Sequence, residues 1–450
     1  MDLRAKLSRL MSPAPKTTGR VLTTTEEEPT SVAPSEESQS ERLAELKRRL
    51  AEMTARGPRV SPRIYRGRSS PELKGLPGTD EHTASGSVRV VLDHRSLSYR
   101  HGAAPIALGR SADSKALAVL ACNPVLTGID ASRLLYLDTE TTGLAGGTGT
   151  LAFLVGLGWF EGDAFVVEQL LLTRPGDETP LLTRLVERLK VASGIVTFNG
   201  RAFDWPLLCT RFVMNRMQAP SPVHIDLLHM VRRIYRQRLL SLRLKAIEAD
   251  VLGLMREGDI DGAEIPPIYW QFLRSGDGSQ LEPILGHNVQ DILALPAILG
   301  SLARDFSYPS AHLDPRDALG FAHLVERQGD TQRAIAFADI AVLGSADVVV
   351  RARWLVARIE LRRHNYGAAM VALKEALPHA RRDGNAIAHL HLGLAKLFEH
   401  RLHDLSQALL HAEHTADAEG VAAQAKRVHR LLRRHARIEA LERRRGDEHE

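Results

Sequence analysis

The sequence predicts an α/β domain followed by an all-α domain of helical repeats. The first holds a mixed sheet, a three-strand antiparallel meander plus parallel strands, flanked by helices. Three observations predict this. Strand-like apolar runs at 134–137, 151–160 and 164–172 follow one another over short turns, as an antiparallel meander requires. Helical and strand patterns then alternate to about residue 308. Beyond Pro309 the strand patterns stop, and a helical pattern recurs at an offset of 35 residues.

Length and composition bound the answer. A chain of 450 residues with 44% hydrophobic content has room for two or three domains with ordinary cores. Its 59 basic and 54 acidic residues leave a net charge of +5 at a pI near 9.3, and arginine outnumbers lysine, which permits phosphate binding. Cys122 and Cys209 lie far apart without metal-ligand spacing, which argues against a disulfide framework or a zinc knuckle and fits a reducing, cytoplasmic setting. The charged first residues and the lack of a long apolar stretch argue against an export signal or a membrane span.

Residues 1–85 are rich in Ser, Thr, Pro, Glu and Arg and read as largely disordered. Within them, Leu43, Leu46, Leu50 and Met53 recur at helical spacing, so 40–56 reads as a short amphipathic docking helix. Residues 86–131 form a lead-in segment, with a strand-like alternation at 87–98, expected to pack on the α/β domain. That domain spans 132–308. In it, Asp177 reads as the cap of an amphipathic helix, 194–198 as a short buried strand and 203–217 as a helix. Residues 309–445 carry the repeats: the pattern around Arg327–Ile335 returns at Arg362–Met370 and more loosely near His403. Ala334, Ala341, Ala369 and Ala376 stand where stacked helices approach closely, and the period is near that of tetratricopeptide repeats. A plain helical bundle is the alternative. The arginine-rich end, 426–445, reads as a solvated helix face.

Three stretches carry candidate chemistry. In the first, Asp138 and Glu140 stand two apart at the end of an apolar strand, so both point to one side. Two such carboxylates ask for a compensating cation, or else mark a solvated polar turn. The second stretch is a strand leading through Asn199 to Asp204 at a strand-to-helix junction, where Asp204 either caps the helix or holds a metal. The third places His287 and Asp291 four apart on one face of a helix that Pro296 is expected to bend, and an ordinary helix pair is the bland reading. The glycine-rich run from Gly143 leads into a strand and so lacks the helix dipole of a nucleotide loop; it reads as a close-approach turn beside the acids. Asp226 either supports the site from behind or ends a strand. Arg201, Arg232, Arg233 and Arg236 either contact phosphate or are solvated, and Trp159, Trp205 and Trp270 read as core rather than base-stacking.

The order of the elements is that of the ribonuclease H-like fold, and the three stretches together resemble the DEDD family of exonucleases. Asp138-Thr139-Glu140 resembles its first motif, Asn199 with Phe203-Asp204 its second, and His287 with Asp291 its third. One departure stands out: a histidine here occupies the spacing, four before the last Asp, that the family usually gives to tyrosine. That hybrid, with the run LLYLDTETTGLAGGTGTLAFLVGLG from Leu134, is similar to the YprB-like ribonuclease H-like family, in which tetratricopeptide-like repeats follow the nuclease-like domain.

The resemblance implies that Asp138, Glu140, Asp204 and Asp291 hold two divalent cations, Mg²⁺ or Mn²⁺, and that His287 orients or deprotonates water. It implies substrate contacts at Thr141, Gly143, Leu144, Asn199 and Arg201, with Asp226 behind them. The expected activity is metal-dependent hydrolysis of phosphodiester bonds in DNA or RNA, 3′ to 5′ from an end, with the repeats engaging a protein partner. The alternatives are a non-catalytic nucleic-acid-binding scaffold and a structure-selective endonuclease.

Overall fold

The structure, a computed structural model of the chain, describes residues 73–143, 149–380 and 385–447. The tail preceding residue 73, the amphipathic segment 40–56 and Leu144 lie outside the described residues. The strands are β1 (Thr79–Thr83), β2 (Gly86–Ser96), a two-residue pair β3 (Arg100–His101) and β4 (Ala104–Pro105), β5 (Leu134–Thr141), β6 (Ala152–Glu161), β7 (Ala164–Leu171), β8 (Gly194–Thr197) and β9 (His224–Asp226). All but β3 and β4 join one seven-stranded sheet in the order β1-β2-β7-β6-β5-β8-β9. β5, β6 and β7 form the expected antiparallel meander, and β8 and β9 add parallel strands at the other edge of β5.

Two features extend the sequence reading. Residues 79–83, assigned by composition to the disordered tail, form β1, whose polar TDEHT is held by its backbone ladder to β2 rather than by burial. Likewise, the lead-in segment supplies β2 to the sheet, paired along the edge of β7.

Among the described residues, seven helices of eight or more residues cover the sheet: α1 (Ser114–Ala121), α2 (Glu178–Val191), α3 (Asp204–Met214), α4 (Leu227–Tyr235), α5 (Leu244–Leu252), α6 (Ile265–Ser275) and α7 (Glu282–Ser307). β5 lies between two cores, which is why its apolar run is continuous. Leu134 and Tyr136 join the core shared with α1, α4 and α7, whereas Leu135 and Leu137 join the one shared with α2, α3 and α6. Asp177 occupies the cap position of α2, but its side chain makes no capping hydrogen bond. The next residue, the buried Glu178, instead receives the buried Arg211 of α3, Nε to Oε1 at 2.6 Å. A buried guanidinium needs that carboxylate more than a helix end needs its cap. α7 runs on through Pro296 to Ser307.

The all-α region comprises α8 (Pro315–Arg327), α9 (Thr331–Ala341), α10 (Ala346–Arg362), α11 (Tyr366–Ala376), α12 (Asn385–Leu397), α13 (Leu405–Ala412) and α14 (Val421–Asp447). Its sequence recurrence has a local cause. Gly329, His364 and His403 each take a left-handed backbone, φ 88°, 59° and 57°. Each is followed by a cap, Asp330, Asn365 or Asp404, that accepts from the backbone N–H of Arg333, Ala368 or Gln407. The four alanines are fully buried. On α14, Arg427, Arg430 and Arg434 turn onto the buried Glu399, so part of the arginine run anchors the helix instead of facing water.

The helical region grows directly out of α7. Phe306 near its end meets Phe321 of α8 and Phe337 of α9, ring centroids 6.0 Å away in both cases. A side chain at Gly320 would run into the backbone of Ile234, so glycine there lets α8 lie on α4. Arg238 closes the seam on Asp317, Nη2 to Oδ2 at 3.0 Å. Among the described residues no helix is long and apolar enough to cross a membrane.

Candidate active site

The alternation of β5 decides where its end residues go. Asp138 and Glu140 continue the Tyr136 face toward α7, while Thr139 continues the Leu137 face toward α3. On the first side, Glu140, His287 and Asp291 converge, with one ligand atom of each lying within 4.8 Å of the others. His287 Nε2 stands 3.8 Å from Glu140 Oε1 and 3.6 Å from Asp291 Oδ2. On the other side, Thr139 donates its hydroxyl to Asp204 Oδ1 at 2.6 Å. Asp204 occupies the first turn of α3, not its cap, which is Phe203. Asp138 and Asp204 lie outside the tight trio but share its electrostatics.

That sharing shows in the carboxyl groups. Burial, then the charges of Asp291, Asp204 and Glu140, hold Asp138 well above the usual carboxylate range. Burial and the charges of Asp291 and Asp204 push Glu140 up to about 8. Asp204 is raised to about 6, chiefly by burial, and burial also raises Asp291 against the opposing pull of Arg256.

Several residues of this site were not legible in the sequence. Asn288, fully buried between His287 and Val289, donates Nδ2 to Asp138 Oδ2 at 3.0 Å and accepts from Gln169 Nε2 of β7 at 2.9 Å. Gln169 also reaches the Leu285 carbonyl. Asp259, in the loop between α5 and α6, accepts from His287 Nδ1 at 2.7 Å and turns Nε2 toward the acids. Lys245 and Arg256 hold Asp259 at 2.8 and 3.2 Å, and Arg256 also reaches Asp291 at 2.5 Å and Glu248 at 2.8 Å. Hydrogen bonds from Lys245 and His287, with the charges of His287 and Arg256, outweigh burial and hold Asp259 down at about 2. Glu248 in turn meets the buried His101 of β3 at 2.6 Å, so the lead-in segment is tied to the site. No motif marks Arg256-Glu257-Gly258-Asp259 in the sequence, and only the pairing across space gives it a role.

The structure places the remaining candidates as follows. Asp226 ends β9, caps α4 through Leu228 N, and accepts from Asn199 N at 2.8 Å and Arg201 N at 3.1 Å, so it braces the loop leading to Asp204. Asn199 takes a left-handed backbone there, φ 67°. The Arg201 guanidinium bonds the His224 carbonyl, and Arg233 the Leu120 carbonyl, while Arg232 and Arg236 are exposed. Thr141 donates to the Gly143 carbonyl at 3.1 Å. Open space surrounds the positions where side chains at Gly143 and Gly149 would project, so these two glycines are not close-approach positions. Trp159 and Trp205 are half-buried against the core, and Arg188 lies over the Trp159 ring.

The donor set suits a hard divalent cation. Four half-buried carboxylates lie close together, and among the described residues Arg256 is the one arginine or lysine in direct contact with them; oxygen donors favour Mg²⁺ or Mn²⁺. A pH dependence follows. Glu140 and Asp204 have folded values raised above the unfolded ones, so the stability they contribute is complete below about pH 4 and is lost as pH rises through about 6 and then 8. In EDTA the Tm of the protein is therefore expected to fall between pH 5.5 and 8.5, and Mn²⁺ to raise it more at pH 8.5. A Glu140→Gln protein with the same pH slope as the wild type would refute this reading.

A mixed sheet with acids at the end of the interior strand β5, where its antiparallel and parallel parts meet, completed by a helix-borne histidine and aspartate, defines a ribonuclease H-like protein. The comparisons agree. The family model of the RNase_H superfamily matches residues 135–303. The uncharacterized protein YprB of Bacillus subtilis (strain 168) is 30% identical over 320 residues, 70% of this chain and 76% of its own. The chain belongs to the YprB-like family of the RNase H superfamily. Among solved structures, the family B DNA polymerase of the hyperthermophilic archaeon Pyrobaculum calidifontis aligns with 50% of this chain and 29% of its own, at 14% identity and a TM-score of 0.31. That likeness is too slight to carry over an activity.

Proposed function

We propose that the protein is a metal-dependent nuclease that hydrolyses phosphodiester bonds in DNA or RNA, as a 3′ to 5′ exonuclease. The observation that carries this is the gathering of Glu140, His287 and Asp291, flanked by Asp138 and Asp204, at one end of β5. Two divalent cations held by Asp138, Glu140, Asp204 and Asp291 would stabilise charge on the attacking and leaving oxygens. His287 Nε2, aimed by Asp259, receives a proton from the attacking water. The water oxygen bonds to phosphorus as the bond to the 3′ oxygen breaks, and that oxygen takes a proton from solvent, leaving a 3′ hydroxyl and releasing a nucleoside 5′-monophosphate. Asn288 keeps Asp138 in place, and Asp226 holds the loop that presents Asp204. The helical region serves as the partner-binding part, in the manner of tetratricopeptide-like repeats.

The test uses single- and double-stranded DNA and RNA, labelled at the 3′ or 5′ end, with Mn²⁺ and with EDTA. Mononucleotides released from the 3′ end only with metal support the proposal. Internal fragments from end-blocked substrates would make the protein an endonuclease instead. A second reading, a nucleic-acid-binding scaffold that does not cut, is favoured by the contact of Arg256 with Asp291, which already supplies one cation to the acids. Binding without cleavage on every substrate, unaffected by metal, would establish it.

A further inference from the structure

Three histidines gather in the helical region, apart from the carboxylates, with nitrogens less tightly converged than the ligand atoms of Glu140, His287 and Asp291. His391 on α12 and His411 on α13 face each other with Nδ1 to Nδ1 at 3.0 Å and ring centroids at 5.2 Å. His414, in the turn after α13, also meets the His391 ring, with centroids at 4.8 Å. His411 and His414 are three apart, so they project from neighbouring positions of one helix end. No carboxylate pairs with any of the three among the described residues, where ion pairs abound elsewhere.

From this geometry we propose that His391, His411 and His414 form a binding site for a borderline divalent cation of the Zn²⁺ class that clips α12 to α13. Two nitrogens bound at about 2.0–2.1 Å to a tetrahedral ion stand about 3.3 Å apart, so the observed pair needs only a slight opening to admit one. His411 is fixed for this: it is buried, and Phe398 stacks on its ring with centroids at 5.7 Å and planes 9° apart. His414 is exposed, so its ring can turn inward without disturbing the core. A metal needs the neutral imidazole, and burial supplies it, pushing His411 down to about 4 with His391 and Lys374 adding to the effect; burial also lowers His391. The ligand type sets the ion. An all-imidazole set favours Zn²⁺, Co²⁺, Ni²⁺ or Cu²⁺ over Mg²⁺, the reverse of the all-oxygen acids on β5, α3 and α7.

That contrast makes the test selective. Full-length protein carrying Glu140→Gln and His287→Asn, which disable the carboxylate pocket as a zinc ligand set, is titrated with Zn²⁺ and with Co²⁺ in excess Mg²⁺. One saturable equivalent is expected, with the visible absorption of tetrahedral Co²⁺ and a rise in Tm on adding Zn²⁺. Adding His391→Asn and His411→Asn should weaken Zn²⁺ binding at least 100-fold. His414→Ala, a surface change that leaves folding intact, should weaken it about tenfold. Cleavage by the otherwise unaltered enzyme should be unchanged by His414→Ala. Absence of a saturable equivalent, or equal Zn²⁺ affinity with and without these histidines, overturns the proposal and leaves a simple N–H···N hydrogen bond between His391 and His411.

Discussion

Asp138→Asn is expected to lower kcat/KM for cleavage by on the order of 10³-fold or more, because it removes the acid that faces three other carboxylates. The substitution is isosteric, and the new amide oxygen can still accept from Asn288 Nδ2. Structure should therefore persist. Replacing a buried carboxyl whose ionised form is opposed by burial and three neighbouring acids should also raise the Tm of the metal-free protein at pH 8 by about 2–4 °C, on the order of 1 kcal/mol for a domain of this size. Loss of cleavage with a gain in metal-free stability separates a metal ligand from a structural residue. Cleavage within tenfold of the wild type would remove Asp138 from the site.

Gly156→Val is expected to be strongly damaging at a position outside the acids. Gly156 pairs with Asp138 across β5 and β6, and a β-carbon there would overlap the carboxamide of Asn288. Asn288 is fully buried and bonded to both Gln169 and Asp138, so it cannot swing into solvent. Overpacking costs about 1–3 kcal/mol, and the buried amide left without partners costs about 1–3 kcal/mol more. A Tm lowered by several degrees, together with loss of cleavage at temperatures where the protein is still folded, is the expected result. Circular dichroism melts alongside the labelled-substrate assay would measure both. Unchanged stability would mean that α7 does not need this close approach.

The legible parts of the site were those in which chemistry and local pattern coincide. Asp138 and Glu140 end a strand whose apolar run announces burial on both faces, and His287 and Asp291 share a helix face by spacing alone. Asn288 follows His287 directly, yet a polar residue inside a helical pattern reads as surface. What gives it away is Gly156, on another element 132 positions earlier in the sequence. The recurrence in the helical region was visible because each copy repeats a left-handed residue and a cap, both local devices.

By itself, then, the chain determined the meander and the alternation that follows it, because period, turn chemistry and caps act over a few residues, and it offered Asp138, Glu140, Asp204, His287 and Asp291 as candidates through a family resemblance. The tertiary structure alone decided that β1 and β2 extend the sheet and that His101, Glu248, Arg256, Lys245 and Asp259 form one charged network behind His287. Strand order and buried ion pairs are fixed by which surfaces can be covered together and by which charges need partners once water is excluded. Those are properties of residues far apart in sequence, so they emerge only when the chain is folded.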